Sequence, residues 1–244
     1  MNGQQGHTVT LPVQGSGELY IVKPSKIIAL GLNYHSHIAE SHSVKVHGFS
    51  GEVPEEPILF PKTPNVLIGP GEAIIIPAFT ERYHFENPRI DYEAELALIV
   101  KDRCKDVPPD QAYEHIYGYT CFNDVSFRNL QTGDRSGWFR GKSLDTFGPI
   151  GPKIVQSEDL GDPQNLAIQC RLNGKVVQDS NTSSMIFPIR EILAFVSMCF
   201  TLEPGDIIAT GTPGGVGRLA DGDVVEVVVE GIGVLSNPVR AEKG

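Results

Sequence analysis

No two cysteines of this 244-residue chain form a motif. Cys104, Cys121, Cys170 and Cys199 stand apart and no CxxC occurs, so they read as reduced thiols of a cytosolic protein rather than a secreted disulfide framework. Clustered positive charge is also missing. The formal net charge is −10 and no Lys/Arg run exceeds two residues. That excludes a nucleic-acid partner, because binding phosphate needs a basic footprint. No apolar run reaches membrane-spanning length, so no membrane association is expected. The first residues, Met1–Thr10, are polar and lack the basic and apolar regions of a signal peptide, which points to the cytoplasm. No repeat or low-complexity linker divides the chain. The expected organisation is an N-terminal arm over 1–25 followed by one domain over 26–244.

Glycine and proline punctuate the rest every few residues, a pattern of short strands and many turns. Lys26–Leu30 reads as a strand ended by Gly31. Asn33–Ser43 has helical character, and the stretch from there to Pro57 reads as a mobile loop. Ile58–Phe60 and Ala73–Pro77 are short apolar runs. Asp91–Val100 is a longer strand with Tyr92, Ala94, Leu96 and Leu98 on one face. Leu166–Leu172 and Lys175–Gln178 flank Asn173–Gly174, a two-residue hairpin signal. Val224–Glu230 alternates as a strand should. Helices are few. Ile189, Ile192, Leu193 and Val196 follow helical spacing within Pro188–Phe200, and Asp110–Ile116 is a shorter candidate. The sum is a β-rich α+β protein with a mixed or antiparallel sheet.

Glu93 and Glu95 lie two apart in the long strand. They project from one face with Cα atoms roughly 6.7 Å apart. Either this face is solvated, as on a one-sided sheet, or a cation relieves the repulsion. Three carboxylates without a thiolate suit a hard ion such as Mg²⁺, Mn²⁺ or Ca²⁺. Asp124, at the end of the apolar run Tyr117–Phe122, is the candidate third ligand; its alternative use is as an N-cap.

His37 and Glu40 are three apart, so on a helix the carboxylate can orient the imidazole as a general base. His35 and His37 form an HxH pair, but the rest of a cupin pattern is missing. Lys142, between Gly141 and Ser143, can be delivered to a pocket as an oxyanion partner. Gly211–Gly217 is glycine-rich but lacks the Gly-Lys-Ser/Thr ending of a phosphate loop. Its backbone N–H groups are still able to line a site.

In order along the chain, these segments resemble the fumarylacetoacetate hydrolase family, in particular its single-domain members. The matching pieces are Gly31-Leu32-Asn33-Tyr34 with His37 and Glu40, then Glu56 through Lys62, and Asp91-Tyr92-Glu93-Ala94-Glu95-Leu96. Asn123-Asp124-Val125-Ser126 follows with Arg128 and Gln131, then Gly141 through Phe147, Asn181-Thr182, and Leu202 through Pro213. Coverage runs from about Lys26 to Pro238. Two positions depart from the family pattern: Phe127 replaces a small Ala, and Asn129 replaces an Asp. An extended stretch, Thr80–Pro88, precedes the metal strand and is a candidate rim or dimer contact.

The resemblance implies a mixed β-sandwich roll with few short helices, usually a homodimer. It implies Glu93, Glu95 and Asp124 as ligands of a divalent metal, Mg²⁺ or else Mn²⁺ or Ca²⁺. His37 with Glu40 corresponds to the base dyad and Lys142 to the cation facing the developing oxyanion. Arg128, Gln131 and Thr212 fall where substrate contacts are expected. The implied chemistry acts on small 2-oxo or 2-hydroxy-dienoic (di)carboxylates through a metal-stabilised enolate. C–C hydrolysis of the acylpyruvate type and isomerisation of the 2-hydroxyhepta-2,4-diene-1,7-dioate type both fit. An oxaloacetate-type decarboxylase or a non-catalytic metal and dicarboxylate-binding module are the alternatives.

Overall fold

The computed structural model describes residues 8–40, 52–133 and 137–243. The chain opens with a hairpin of β1 (Val9–Pro12) and β2 (Leu19–Val22). β3 (Ile27–Gly31) runs into the short helix α1 (His35–Glu40). Next come β4 (Ile58–Lys62), β5 (Leu67–Ile68), β6 (Ile74–Ile76), β7 (Ile90–Tyr92) and β8 (Ala94–Val100). A 3-10 segment, Pro109–His115, precedes β9 (Ile116–Asn123) and β10 (Ser126–Phe127). Two short helices, α2 (Arg128–Gly133) and α3 (Phe139–Lys142), lead to β11 (Gly148–Gln156), β12 (Ala167–Leu172) and β13 (Lys175–Asn181). The longer helix α4 (Ile189–Cys199) is followed by β14 (Ile207–Ala209), β15 (Gly217–Arg218), β16 (Val224–Val229) and β17 (Gly233–Ala241).

Seven strands form the main sheet in the order β4-β3-β14-β8-β9-β11-β5, and five form a second sheet in the order β13-β12-β16-β17-β6. Both are mixed: β3 runs parallel to β14 and β17 parallel to β6, while the other pairs at their centres are antiparallel. The two faces of the main sheet build two cores. Leu96, Leu98 and Val100 of β8 pack with Ile168, Val225, Val227 and α4. Ala97 and Ile99, pointing the other way, pack with Ile27, Phe60, Phe122 and Ile207. The hairpin closes this second core through Val9, Leu11 and Val22. So the described part of the N-terminal arm is a packed β-hairpin.

Local signals explain the elements that matched expectation. Asn173 and Gly174 both take left-handed backbone angles (φ 51° and 78°) and turn β12 into β13, the conformation that a two-residue hairpin loop requires. The four apolar residues Ile189, Ile192, Leu193 and Val196 bury one stripe of α4 completely. The helix expected near Asn33–Ser43 is present over His35–Glu40; its continuation beyond Glu40 lies outside the described residues. The short helix expected over Asp110–Ile116 is a 3-10 segment instead, with Pro108 and Pro109 removing backbone donors at its start.

The long strand expected over Asp91–Val100 is broken at Glu93. Tyr92, Ala94, Leu96 and Leu98 do share a core. However, β7 belongs to a small sheet in the order β10-β7-β15, whereas β8 pairs with β9 and β14 in the main sheet. At the junction, side chains replace the missing ladder. The Glu93 N–H donates to Asn123 Oδ1 (2.9 Å) and the Ala94 N–H to Gln178 Oε1 (3.0 Å). Glu93 therefore sits where the strand changes partners and a side chain is free to leave the sheet plane.

Candidate active site

Glu93, Glu95 and Asp124 converge. One carboxylate oxygen from each lies within 4.8 Å of the others, and all three residues are buried. Every residue from Ile90 to Val100 is buried as well, so the solvated-face alternative for Glu93 and Glu95 falls away. Asp124 does not cap a helix. Its carboxylate accepts from Lys62 Nζ (2.5 Å) and Lys142 Nζ (2.6 Å), and its N–H donates to the Glu93 carbonyl (2.9 Å). That backbone bond ties the end of β9 to the junction between β7 and β8.

Cations surround the trio. Lys142 also donates to Glu93 Oε2 (2.7 Å), and Arg128 donates to Glu93 Oε1. Arg128 is itself held by Asp91 (2.8 Å) and by Gln131 Oε1 (2.9 Å). Arg89 clamps Asp91 from the other side at 2.8 and 2.9 Å. The two carboxylates on the strand consequently differ. Burial alone would raise the pKa of Glu93, but Lys142, Arg128 and His37 outweigh it and hold Glu93 well below the usual carboxylate range. Glu95 is pushed well above that range, by burial first and then by the charges of Asp124 and Glu93.

The ammonium groups split in the same way. Burial would lower Lys142, yet Asp124 and Glu93 together raise it. Lys62 is lowered, because burial exceeds what Asp124 returns. Lys62 is fully enclosed on the edge strand β4. Its role was not visible in sequence; the only signal is a lysine closing an apolar strand that runs from Ile58.

Glu95 Oε2 accepts from the Gly211 N–H (2.8 Å). Gly211 has φ +96°, and a Cβ there would lie 2.7 Å from Asn33 Cβ, so glycine is required for the amide to reach the carboxylate. The loop after Gly211 is fastened to α1: the Gly214 N–H donates to Ser36 Oγ (3.0 Å) and the Gly215 N–H to Glu40 Oε2 (2.5 Å). Asn33 secures the base of α1, donating to the Thr210 carbonyl (2.8 Å) and accepting from the Phe187 N–H (2.8 Å). Leu32, just before it, is held at φ 57°, an uncommon conformation for a bulky residue.

His37, Glu93, Arg128, Gln131, Lys142 and Thr212 line one recess together with Trp138. Its free space is about 10 Å³, room for little more than one water, because the ammonium and guanidinium groups lie on the carboxylates. Thr212 Oγ1 accepts from Gln178 (2.9 Å) at its wall. Trp138 packs edge-on against Phe60 at 5.3 Å and over Gly31; nothing in the sequence reading singled it out. Glu40 is exposed on α1 and accepts from the Gly215 N–H, whereas His37 is buried. Burial lowers the pKa of His37, with Arg128 and Lys142 reinforcing it against Glu93 and Glu40. A larger cavity, about 490 Å³, is bounded by Val107, Phe187, Phe195 and Met198. Its charged lining among the described residues is all acidic: Glu55, Glu56, Asp106 and Glu191.

The two departures at 127 and 129 act on the rim. Asn129 accepts from the Arg89 N–H (2.8 Å) and donates to the Asn87 carbonyl (3.2 Å). Phe127 packs against Phe85 at 5.7 Å, and Phe85 stacks on Tyr83 at 5.3 Å. Together they bind the stretch before β7 to the site.

The donor set suits a hard divalent ion. It contains only oxygens, and Glu95 Oε1 is buried without a partner among the described residues. Tyr34 Oη and His37 Nδ1 are likewise unpartnered. Buried polar atoms are rarely left so in the absence of an occupant. A strand-rich fold carrying a buried carboxylate trio, cations and a buried histidine defines the class: an enzyme whose site is able to take a divalent metal.

Comparison with known proteins agrees. The family model for the fumarylacetoacetate (FAA) hydrolase C-terminal region matches residues 26–240. The mitochondrial oxaloacetate tautomerase FAHD2A of Bos taurus is 40% identical over 228 residues, 90% of this chain and 68% of that protein. A crystal structure of 5-carboxymethyl-2-hydroxymuconate delta-isomerase from Mycobacterium smegmatis matches with TM-score 0.79 and 39% identity, covering 94% of this chain and 87% of the other. Fumarylpyruvate hydrolase from Pseudomonas aeruginosa, in complex with Mn²⁺ and pyruvate, matches with TM-score 0.83 and 28% identity over 99% of this chain and 100% of the other. The chain belongs to the fumarylacetoacetate hydrolase family and is an enzyme of it; its relatives include a hydrolase, an isomerase and a tautomerase. No helix among the described residues is long and apolar enough to cross a membrane.

Proposed function

We propose that this enzyme is divalent-metal-dependent and moves a proton across the enolate of a small 2-oxo or 2-hydroxy-dienoic carboxylate, as a tautomerase or isomerase does. The observation that carries the reading is that Glu40 hydrogen-bonds Gly215 while His37 Nδ1 has no hydrogen-bond partner among the described residues. His37 is buried in the recess with Glu93 and Lys142, and its Nδ1 has no partner among the described residues. Glu40 Oε2 accepts from the Gly215 N–H. A neutral imidazole, held so by burial, is suited to accepting a carbon-bound proton and returning it.

In this reading Glu93, Glu95 and Asp124 hold the ion, Mg²⁺ or else Mn²⁺ or Ca²⁺. When bound, it would polarise the substrate's oxo group and stabilise enolate charge. Lys142 releases the carboxylates and faces the developing oxyanion. Arg128 and Gln131 orient a substrate carboxylate, and Thr212 closes the wall. His37 takes the proton at one carbon and delivers it to another atom of the same enolate. The homodimer expected from the resemblance belongs to the same proposal, and a monomeric mass in light scattering would remove it.

C–C bond hydrolysis is the second reading, favoured by the likeness to the Mn²⁺- and pyruvate-bound fumarylpyruvate hydrolase. It requires water activated by His37, with Glu40 leaving Gly215 to support the ring. Product identification on oxaloacetate, an acylpyruvate and 2-hydroxyhepta-2,4-diene-1,7-dioate, with Mg²⁺ or Mn²⁺, separates the two. Tautomer or isomer products, with Glu40→Gln retaining most turnover, support proton transfer. Cleavage products, with Glu40→Gln strongly impaired, establish hydrolysis instead.

A further inference from the structure

The antiparallel pair β8–β9 carries the carboxylate trio at one end: Glu93 and Glu95 enter β8, and Asp124 leaves β9. Its register runs from Ala94↔Asn123 to Val100↔Ile116. At the other end Asp102 and Cys104 follow β8, and His115 precedes β9. One donor atom from each of Asp102, Cys104 and His115 lies within 4.8 Å of the others. Asp102 lies seven positions after Glu95. At about 3.3 Å per residue the two clusters are roughly 20 Å apart.

We propose that Asp102, Cys104 and His115 form a second metal site, selective for a thiolate-seeking divalent ion such as Zn²⁺. The donors differ in kind from the trio. A sulfur, an imidazole nitrogen and one carboxylate favour Zn²⁺, whereas the all-oxygen trio favours Mg²⁺ or Mn²⁺. Three protein ligands leave a fourth tetrahedral position for water.

The backbone holds the three residues in place. Cys104 and Leu202 exchange hydrogen bonds (Cys104 N–H to the Leu202 carbonyl 3.1 Å, Leu202 N–H to the Cys104 carbonyl 2.9 Å), and the Lys101 N–H donates to the His115 carbonyl (2.9 Å). These bonds fix the loop after β8 against the residue before β9. Access comes from the other two ligands: the Asp102 side chain is 50% exposed and that of His115 26%, while Cys104 is buried. Asp102 Oδ1 and His115 Nδ1 are now 2.6 Å apart. They must open to roughly 3.3 Å, the spacing of two ligands each about 2.0 Å from a tetrahedral ion. An exposed aspartate has room for that. Binding replaces the thiol's S–H bond with an S–metal bond and releases the proton to solvent.

Co²⁺ is the probe, added to metal-free protein with Mg²⁺ in excess. A Cys199→Ser background removes the exposed thiol. One equivalent of Co²⁺ should give a thiolate-to-cobalt charge-transfer band, absent in Cys104→Ala. In His115→Ala the Co²⁺ and Zn²⁺ affinities should fall by at least the ~10- to 100-fold that loss of even a supporting partner costs. Should Cys104→Ala fail to fold, the partly exposed His115→Ala decides alone. Co²⁺ bound without the charge-transfer band, or a His115→Ala protein with unchanged affinity, overturns the site.

Discussion

The ammonium of Lys142 lies 2.6 Å from Asp124 Oδ2. In the proposed reading it would compete with a metal ion for that oxygen. A second bond from the same nitrogen, to Glu93 at 2.7 Å, leaves Glu95 as the one member of the trio with an oxygen unpartnered among the described residues. If the trio holds the ion as proposed, metal entry and release of Lys142 would be two sides of one exchange.

Lys142→Met keeps the length of the side chain and removes its charge. It should tighten Mg²⁺ and Mn²⁺ binding, since the one cation bridging Glu93 and Asp124 is then gone, leaving Lys62 on Asp124 and Arg128 on Glu93. Turnover should fall by about 10²- to 10³-fold, as on losing one oxyanion donor. Calorimetric titration with steady-state rates checks both. Weaker metal binding in the variant would mean that Lys142 supports the ion rather than competing with it.

Glu95→Gln removes a proposed ligand whose charge is costly in the metal-free protein, where burial, Asp124 and Glu93 all oppose it. Metal-free Glu95→Gln should melt no lower than the metal-free parent. Mg²⁺ should raise the melting temperature of the parent only, and turnover should drop at least ~10²-fold, beyond the cost of losing a supporting partner. A thermal scan with and without metal makes the comparison.

Gly141→Ala tests how Lys142 is positioned. A Cβ at 141 would meet Gln131 N at 2.6 Å and Gln131 Cα at 2.8 Å. Both are backbone atoms with no easy retreat, so α2 and α3 must part at a cost of about 1–3 kcal/mol. Gly133→Ala, with nothing within 4 Å among the described residues, should change stability by no more than ~0.5 kcal/mol. Denaturant melts of the two variants give the contrast.

Asp206 sets an acid limit on stability. Its carboxylate accepts from the Ser25 N–H (3.0 Å), Ser25 Oγ (2.6 Å), the Lys26 N–H (3.0 Å) and the Glu203 N–H (2.8 Å), with Lys26 Nζ in contact. Burial alone would raise its pKa, but the bonds from Lys26, Ser25 and Glu203 hold it below the ordinary 3.8. A depressed carboxylate contributes stability that is complete above its unfolded pKa and is lost as the pH falls through the lower, folded value. Asp206→Asn should cost about 1–3 kcal/mol at neutral pH and flatten the loss of stability below pH 3.8. Urea melts across pH 2 to 7 would follow it.

Local signals in the sequence carried much of this far. Asn173–Gly174 marked a hairpin because only certain residues accept its backbone angles. The stripe of α4 followed from spacing alone. Glu93 and Glu95 stood out because two like charges sat in an apolar strand. What stayed hidden depends on partners distant in the chain. The break at Glu93 arises because β7 and β8 pair with different sheets. Glu40 finds Gly215 rather than His37 only after the glycine-rich loop folds over α1. Lys62 carries no mark of its enclosure by Asp124 and Lys142, and the clamp of Arg89 and Arg128 on Asp91 spans a β-strand and a helix. The packed hairpin over residues 9–22 was hidden by its polar turn, although Val9, Leu11 and Val22 close a core.

Solvent deuterium incorporation at the methylene of oxaloacetate, followed by NMR, addresses metal-dependent proton transfer without relying on product release. Metal-free protein, verified by elemental analysis, should exchange no faster than buffer. Mg²⁺ or Mn²⁺ should restore rapid exchange in the parent and leave His37→Ala near background. Full exchange by the metal-free protein, or by His37→Ala with metal, would contradict the proposed chemistry.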